Sequence, residues 1–316
     1  MASYIIKRIL ISLLVVFLVS LFAFSLMHFL PGDPARLALG FEASEDDVQA
    51  LREEMNLDKP IPEQYFLWIK NLIKGDLGDS IIYKRPVAEL IKERLPRTVN
   101  IGVFSLLVGV PIGILVGVLC AVKRGKVIDQ ILTFLMTVLM GIPVFWLGMI
   151  LILVFAIGLG VFPIQGYVAP SKDFGQYLWH AILPVICMAG GMSARLSRQT
   201  RTNMLDSINQ DYIRTARANG LSEGSVTYKH ALKNALIPVI SVVGLQVRVV
   251  IGGSLLVEQI FNIAGIGTLL TTALNNRDYM IVQNCTLLIS LFTVFANLIV
   301  DIAYGLVDPR IRLSRR

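Results

Sequence analysis

The 316-residue chain is poor in side chains that do chemistry, with three histidines, three cysteines and only 16% charged residues. His28, His180 and His230 fall in three unrelated places, so no metal-ligand spacing arises from them. Cys120, Cys187 and Cys285 have no C-x-x-C spacing and lie in or at the edge of apolar stretches. They read as small hydrophobes and form neither a disulfide framework nor a zinc site. No G-x-x-x-x-G-K-S/T loop is present to cradle nucleotide phosphates. Gly265-Ile266-Gly267 lacks the third glycine of a dinucleotide site, and neither H-E-x-x-H nor G-x-S-x-G occurs. The shortage of charge also excludes disorder, a coiled coil and an ordinary soluble enzyme.

What is abundant is apolar. Hydrophobic residues make up 55% of the chain and the mean hydropathy is +0.68. A soluble fold of this length would expose too much apolar surface to stay dispersed, so the chain belongs in a bilayer. A spanning helix needs ~20 mostly apolar residues. Six runs qualify: Ile9–Leu30, Thr98–Val122, Ile131–Leu159 with a tilt or kink at Pro143, Leu178–Ala194 broken by Pro184 and Gly190-Gly191, Ala235–Val257, and Met280–Val307. The expected fold class is an all-α membrane protein. The first run exceeds a signal-peptide core and no A-x-A-like site follows it, which predicts an uncleaved anchor. Asn284-Cys285-Thr286 matches a glycosylation sequon but falls inside the last span.

Net charge is +7, and topology accounts for it. One set of short loops and ends carries Lys7, Arg8, Lys123, Arg124, Lys126, Arg195, Arg198, Arg201, Arg214, Arg217, Lys229, Lys233, Arg310, Arg312, Arg315 and Arg316. The opposite short loops carry Lys172 and Arg277. Basic residues stay in the cytoplasm, so sixteen against two predicts both termini inside a multi-pass cytoplasmic membrane. Nucleic acid is not needed to explain the charge.

The chain then divides into an N-terminal start and first span (1–30), an extracytoplasmic helical subdomain (31–97), a five-helix core (98–307) and a cytoplasmic tail (308–316). In the subdomain, Pro31-Gly32-Asp33-Pro34 ends the first helix. Ser44 before Glu45, Asp46 and Asp47 predicts an N-cap opening a helix to Met55. Pro62-Glu63 opens a second helix with Tyr65, Trp68, Ile69 and Leu72 at helical spacing, and a third runs from Pro86 to Leu95.

Within the core, residues 195–234 form a long cytoplasmic connection. Ile208, Tyr212 and Ala216, then Leu221, Val226 and Leu232, predict short helices separated at Gly220, where positive φ permits a tight reversal. Pattern alone leaves two readings open: a docking element, or an amphipathic segment on anionic lipid. Gly109, Gly113 and Gly117 recur on one face of the second span, which admits close approach of another helix, and Pro111 is a site for a kink. Polar groups inside the spans are Gln246, Arg248, Asn284, Asn297 and Asp301. Arg248 lines a cavity and meets an anionic group, or it pairs with Glu258 or Asp301.

The segment Asp211-Tyr212-Ile213-Arg214-Thr215-Ala216-Arg217-Ala218-Asn219-Gly220-Leu221-Ser222, with His230-Ala231-Leu232-Lys233-Asn234-Ala235 and Ile237-Pro238, resembles the "EAA" coupling loop of ABC importer permeases. The resemblance is to the dipeptide/oligopeptide/nickel branch, and to the first of its two permease subunits. Arg214-Thr215-Ala216 stands at the E-A-A positions, and Leu236-Ile237-Pro238 falls later than the general spacing. Gly75-Asp76-Leu77-Gly78-Asp79-Ser80, Arg85-Pro86-Val87, Arg94-Leu95-Pro96-Arg97-Thr98, Gly244-Leu245-Gln246, Gly252-Gly253-Ser254, Glu258-Gln259-Ile260-Phe261, Arg277-Asp278-Tyr279 with Gln283, and Asp308-Pro309-Arg310-Ile311-Arg312 extend it along the chain. Ala264 and Arg248 depart from the family's usual Pro and small or apolar residue.

The resemblance implies a type I importer permease fold, with a peripheral first helix and a five-helix core. It implies a second homologous permease, two ABC ATPase subunits that hold the ATP and Mg, and an extracytoplasmic substrate-binding protein. This chain itself would be non-catalytic, carry no cofactor or metal, and contact membrane lipid. Asp211, Tyr212, Thr215, Ala216, Arg217, Gly220, Leu221 and Ser222 would form the ATPase-coupling element. Gln246, Arg248, Gly252 and Gly253 would border the translocation path, with Glu258 and Asp301 as intramembrane partners. Peptide would be the cargo and alternating access the mechanism, with nickel chelate or glutathione as alternatives. A self-sufficient secondary transporter or channel would need a mid-span carboxylate, and none is evident. An intramembrane enzyme would need a Ser, His or carboxylate constellation.

Overall fold

The fold comes from a computed structural model describing residues 2–29, 33–40 and 42–307. Pro31-Gly32, the tail 308–316 and the side chain of Arg248 lie outside the described residues. Thirteen helices follow one another among those described: α1 (Ala2–Phe29), α2 (Pro34–Leu39), α3 (Glu45–Glu54), α4 (Ile61–Ile73), α5 (Val87–Val122), α6 (Val127–Gly141), α7 (Val144–Leu151), α8 (Phe174–Ile208), α9 (Asp211–Ala218), α10 (Glu223–Ser225), α11 (Leu232–Ile260), α12 (Ile266–Asn275) and α13 (Tyr279–Val307). Single π-helical turns extend α7 over Ile152–Gly158 and join α10 to α11 over Val226–Ala231. Among the described residues five helices are long and apolar enough to cross a bilayer, and the bent α6–α7 pair, counted as one span, makes six.

Local chemistry explains several helix ends. The Ser44 hydroxyl accepts from the Asp47 N–H at 3.2 Å, with three acidic residues in the first turn of α3 behind it. The Asp33 carboxylate caps α2, a short helix the sequence pattern does not announce. Tyr65 and Trp68 of α4 pack on Phe24 of α1, and the Tyr65 hydroxyl meets Ser20 at 2.7 Å.

Three expectations change. The helix expected over Pro86–Leu95 is the beginning of α5, which passes through Pro96 without a break. Proline costs one backbone bond, but its φ suits a helix, and the continuous helix buries Val87, Leu90 and Ile91 against α12 and α13. The third span bends at Pro143 as expected but far more sharply than a kinked rod: α6 and α7 meet at 109°. Ile142 is extended (φ −76°, ψ 125°), as steric conflict with the following Pro143 favours. The fourth span is not short or broken. α8 runs unbroken through Pro184, Gly190 and Gly191, and carries Arg195, Arg198 and Arg201 on the same helix.

The reason α8 holds together is α5. A Cβ added at Gly113 would lie 2.6 Å from Leu196 Cβ and 2.9 Å from the Ser193 carbonyl. At Gly117 it would lie 2.6 Å from the Ser197 carbonyl. Missing side chains let the two backbones touch, and the Ser193 hydroxyl donates to the Gly109 carbonyl at 3.0 Å. α13 runs antiparallel to α1, tied by an Arg8–Asp301 ion pair of 2.7 Å near the end that carries the basic loops.

Candidate functional site: an exposed helix at the basic end and a cavity beside α11

α8 ends at Ile208 and α9 starts at Asp211, so the two helices are joined by Asn209 and Gln210 alone. α9 is amphipathic. Ile213 and Ala216 are buried, packed with Val118 and Ala121 of α5, Met204 of α8, and Val226, Ala231 and Ala235 leading into α11. Asp211, Tyr212, Arg214, Thr215 and Arg217 are exposed. Gly220 has φ +78°, the reversal expected at that position, and nothing stands within 4 Å of a Cβ added there. The Gly220 and Leu221 N–H groups donate to the carbonyls of Arg217 and Ala216, closing the end of α9. Ser222 then caps α10 by accepting from the Ser225 N–H. Arg217 grips Glu223 through Nε at 2.8 Å and Nη2 at 3.2 Å across this turn, and donating these bonds to the Glu223 carboxylate holds the guanidinium above its ordinary pKa. Of the eight residues expected to form the coupling element, Ala216 faces inward and the other seven face outward around one Gly-turned corner.

The residues singled out on α11 do not form one cluster. Gln246 is buried and its Oε1 has no hydrogen-bond partner among the described residues. Gly252 and Gly253 have open space on their missing side-chain side. Gly252 lines a cavity of about 370 Å³ bounded by α5, α11, α12 and α13, with Val250, Leu270 and Phe292 among its walls. Its hydroxyls are already engaged: Thr98 donates to Glu258 at 2.6 Å and Ser254 donates to the Ile251 carbonyl at 2.9 Å. The cavity is therefore an apolar space with no free hydrogen-bonding side chain shown on its wall.

Glu258 is fully buried and organises the far end of α11. Its carboxylate accepts from Thr98 of α5 and from the Thr268 N–H in the first turn of α12, at 3.1 Å. The Thr98 hydroxyl in turn accepts from the Ile266 N–H at 2.8 Å. Gly265 and Gly267 sit against this carboxylate so closely that a Cβ at either position would collide with it. Glu258→Ala strands the half-buried Thr98 hydroxyl and Thr268 N–H without their acceptor, at a cost toward the low end of the about 1–3 kcal/mol of a fully buried group. The expected result is a clear fall in the thermal midpoint of the detergent-purified protein, smaller for Glu258→Gln because an oxygen acceptor remains. Asp301, the other acidic residue singled out, takes Arg8 as a partner.

Two buried carboxylates were given no role by the sequence: Asp129 went unremarked, and Asp278 stood only within the Arg277-Asp278-Tyr279 motif. Asp129 in the first turn of α6 pairs with Arg201 of α8. Asp278 accepts from the Ser80 hydroxyl at 2.6 Å and the Ile82 N–H at 3.2 Å, fastening the segment before α5 to the start of α13. Asn284 adds a bond to the Leu77 carbonyl at 2.9 Å. An acidic residue beside an apolar run was the available signal for Asp129; its partner lay 72 positions away.

The arrangement is that of a multi-span membrane permease. Two solved transporters share the fold at a TM-score of 0.53: an amino acid ABC transporter crystallised with histidines (15% identical, covering 69% of this chain and 94% of that one) and the inward-facing MetNI methionine ABC transporter (18% identical, 70% and 96%). The chain belongs to the family of binding-protein-dependent transport system inner membrane components, matched over residues 109–313, with the N-terminal membrane component of the same systems matched over 1–102. It is similar to the oligopeptide transport system permease protein AppB of Bacillus subtilis (42% identical, covering 98% of this chain and 99% of that one). It is also similar to a probable peptide ABC transporter permease, y4tP, of Sinorhizobium fredii (38%, 99% and 100%) and to the glutathione transport system permease protein GsiC of Escherichia coli K12 (39%, 99% and 99%). Family membership makes this chain a non-catalytic inner-membrane component of a binding-protein-dependent transport system.

Proposed function

We propose that the chain is the first of two permease subunits of an ATP-driven importer of short peptides. The observation that carries the reading is α9, an exposed amphipathic helix seated on a buried base that joins α5, α8 and α11. A helix so placed can receive a push from outside the membrane and pass it to two spans at once. The names of the similar chains supply the cargo class.

In this reading both termini and α9 face the cytoplasm, as the sixteen-to-two distribution of basic residues favours. Tyr212, Thr215, Arg217, Gly220, Leu221 and Ser222, with Asp211, form the surface that meets an ATPase subunit. Ala216 holds α9 to its base. ATP-driven closure of the ATPase pair on partner subunits, which bind ATP and Mg, displaces α9. α8 and α11 then swing between inward and outward states. Residues 31–97 and the far ends of α11 to α13 face the binding protein, and the second permease closes the pore beside Gln246, Arg248, Gly252 and Gly253.

Glutathione is the second reading, carried by the similarity to the glutathione permease of Escherichia coli. Uptake into proteoliposomes holding the complete complex decides between them. Accumulation of labelled dipeptide that needs both internal ATP and the binding protein is the expected result. ATP-dependent uptake of glutathione alone moves the assignment to the second cargo, and ATP-independent uptake by this chain by itself overturns both.

A further inference from the structure

Asp129 is 3% exposed, and its carboxylate is met by donors from three places. Arg201 of α8 contributes Nε and Nη2, each at 2.9 Å, in a two-pronged grip. The Gly125 N–H donates at 3.0 Å from the turn before α6, and the Thr133 hydroxyl at 3.2 Å from the next turn of α6. Arg195 and Arg198, on the same helix, are exposed and make no ion pair among the described residues. Arg201 therefore does something beyond adding charge to the basic end.

Stability does not explain the pair. Burying a carboxylate carries a desolvation penalty that the attraction only roughly offsets, so an apolar pair of similar volume is about as stable. What the planar guanidinium adds is direction: two parallel bonds fix one register and one angle between two helices. The pair sits where that matters. Arg201 lies within the last ten residues of α8, which hands over to α9 at Asp211. Beyond α6 the chain bends through 109° into α7, whose Gly148 approaches Ile260 at the far end of α11 so closely that an added Cβ would stand 3.2 Å from it. α6 and α7 thus form a lever from the α9 end of α8 to the far end of α11.

We propose that Asp129 and Arg201 are positioning residues for coupling, a clamp that makes α6 and α7 move with α8 when α9 is displaced. The inference rests on reading α9 as the ATPase-docking helix. It assigns to α6–α7 a second route by which displacement of α9 reaches α11, separate from the direct one through residues 219–231.

The complete complex in nanodiscs tests it. Asp129→Ala would leave the Arg201 cation unpaired and risk the fold, so the deciding variant is the apolar pair Asp129→Leu with Arg201→Met. Spin labels on exposed Trp146 of α7 and exposed Arg198 of α8 report the clamp without reference to cargo, and the three native cysteines are buried and stay unlabelled. With the pair intact, the distance between the labels stays the same in the nucleotide-free and vanadate-trapped states. In the double variant it changes between those states, and peptide accumulated per ATP hydrolysed falls about tenfold, within the range of ordinary coupling energies. Arg201→Lys, which keeps the charge and loses the fork, lowers the same ratio. The proposal is overturned if the double variant matches the wild type in both readouts, or if the wild-type distance itself changes on trapping. A wild-type complex that hydrolyses ATP without accumulating peptide rejects the cargo reading, and the label distance still decides the clamp.

Discussion

Gly117→Val is expected to abolish recovery of a folded, monodisperse chain from detergent, the largest stability effect of a single substitution among the three glycines of the α5–α8 contact. The added Cβ would lie 2.6 Å from both the Ser197 carbonyl and Thr200 Cβ, and 3.1 Å from the Arg201 nitrogen. Two of these three neighbours are backbone of α8, which cannot rotate away. Overpacking a core costs about 1–3 kcal/mol when side chains can yield, and more when they cannot. Gly113 faces a similar wall, with Leu196 Cβ at 2.6 Å and the Ser193 carbonyl at 2.9 Å. Gly109 differs, because its shortest contact is Met192 Cε, the far end of a flexible side chain. Gly109→Ala is therefore expected to lower the thermal midpoint only modestly. The ordering is checked by heating the purified variants and following the monodisperse fraction on size-exclusion chromatography. Equal stability of Gly117→Val and wild type would contradict the α5–α8 contact on which the rest of the bundle is built.

Gly220→Trp is expected to leave insertion and folding of the chain intact while eliminating ATP-coupled uptake. The open space around Gly220 means that the fold of this chain does not oppose a large side chain sterically; whatever docks against α9 does. The residual internal cost is the left-handed backbone, roughly 1–2 kcal/mol for an ordinary L-residue. Gly220→Asn controls for that cost, since Asn tolerates the same region and carries no bulk. Retained uptake for Asn with loss for Trp assigns the effect to docking. Equal loss in both assigns it to the turn, and full uptake by the Trp variant removes the docking assignment. The assay is proteoliposome uptake normalised to the amount of reconstituted chain.

The two outcomes probe features of different legibility. Gly220 was readable because a reversal between two short amphipathic stretches is local: the residue type, its φ and the flanking periodicity all lie within one dozen residues. The glycines of α5 were half-readable. Their four-residue spacing announced a partner helix, and nothing in the spacing named α8. Pro184 and Gly190-Gly191 misled for a related reason. In isolation they are helix breakers, yet α8 passes through them because its length is packed against α5, α6, α7 and α11, and tertiary burial outweighs propensity. Pro143 is the converse: Ile142 there has the extended backbone its sequence context favours, and the span turns through 109°.

By itself the sequence determined the bilayer as solvent, the apolar runs that supply the five or six candidate spans, the asymmetry of charge among the short loops, the Ser44 cap and the Gly220 turn. All of these depend on composition or on neighbours within a few residues. Tertiary structure alone decided that α5 and α8 are continuous and backbone-packed, that Glu258 joins α11 to α5 and α12, and that Asp129 and Asp278 fasten distant segments. The side-chain partners that tie these three carboxylates to distant helices and segments, Thr98, Arg201 and Ser80, lie 160, 72 and 198 positions away, respectively. Helical periodicity states which face of a segment is buried and carries no information about what covers it, so only the assembled bundle could pair them.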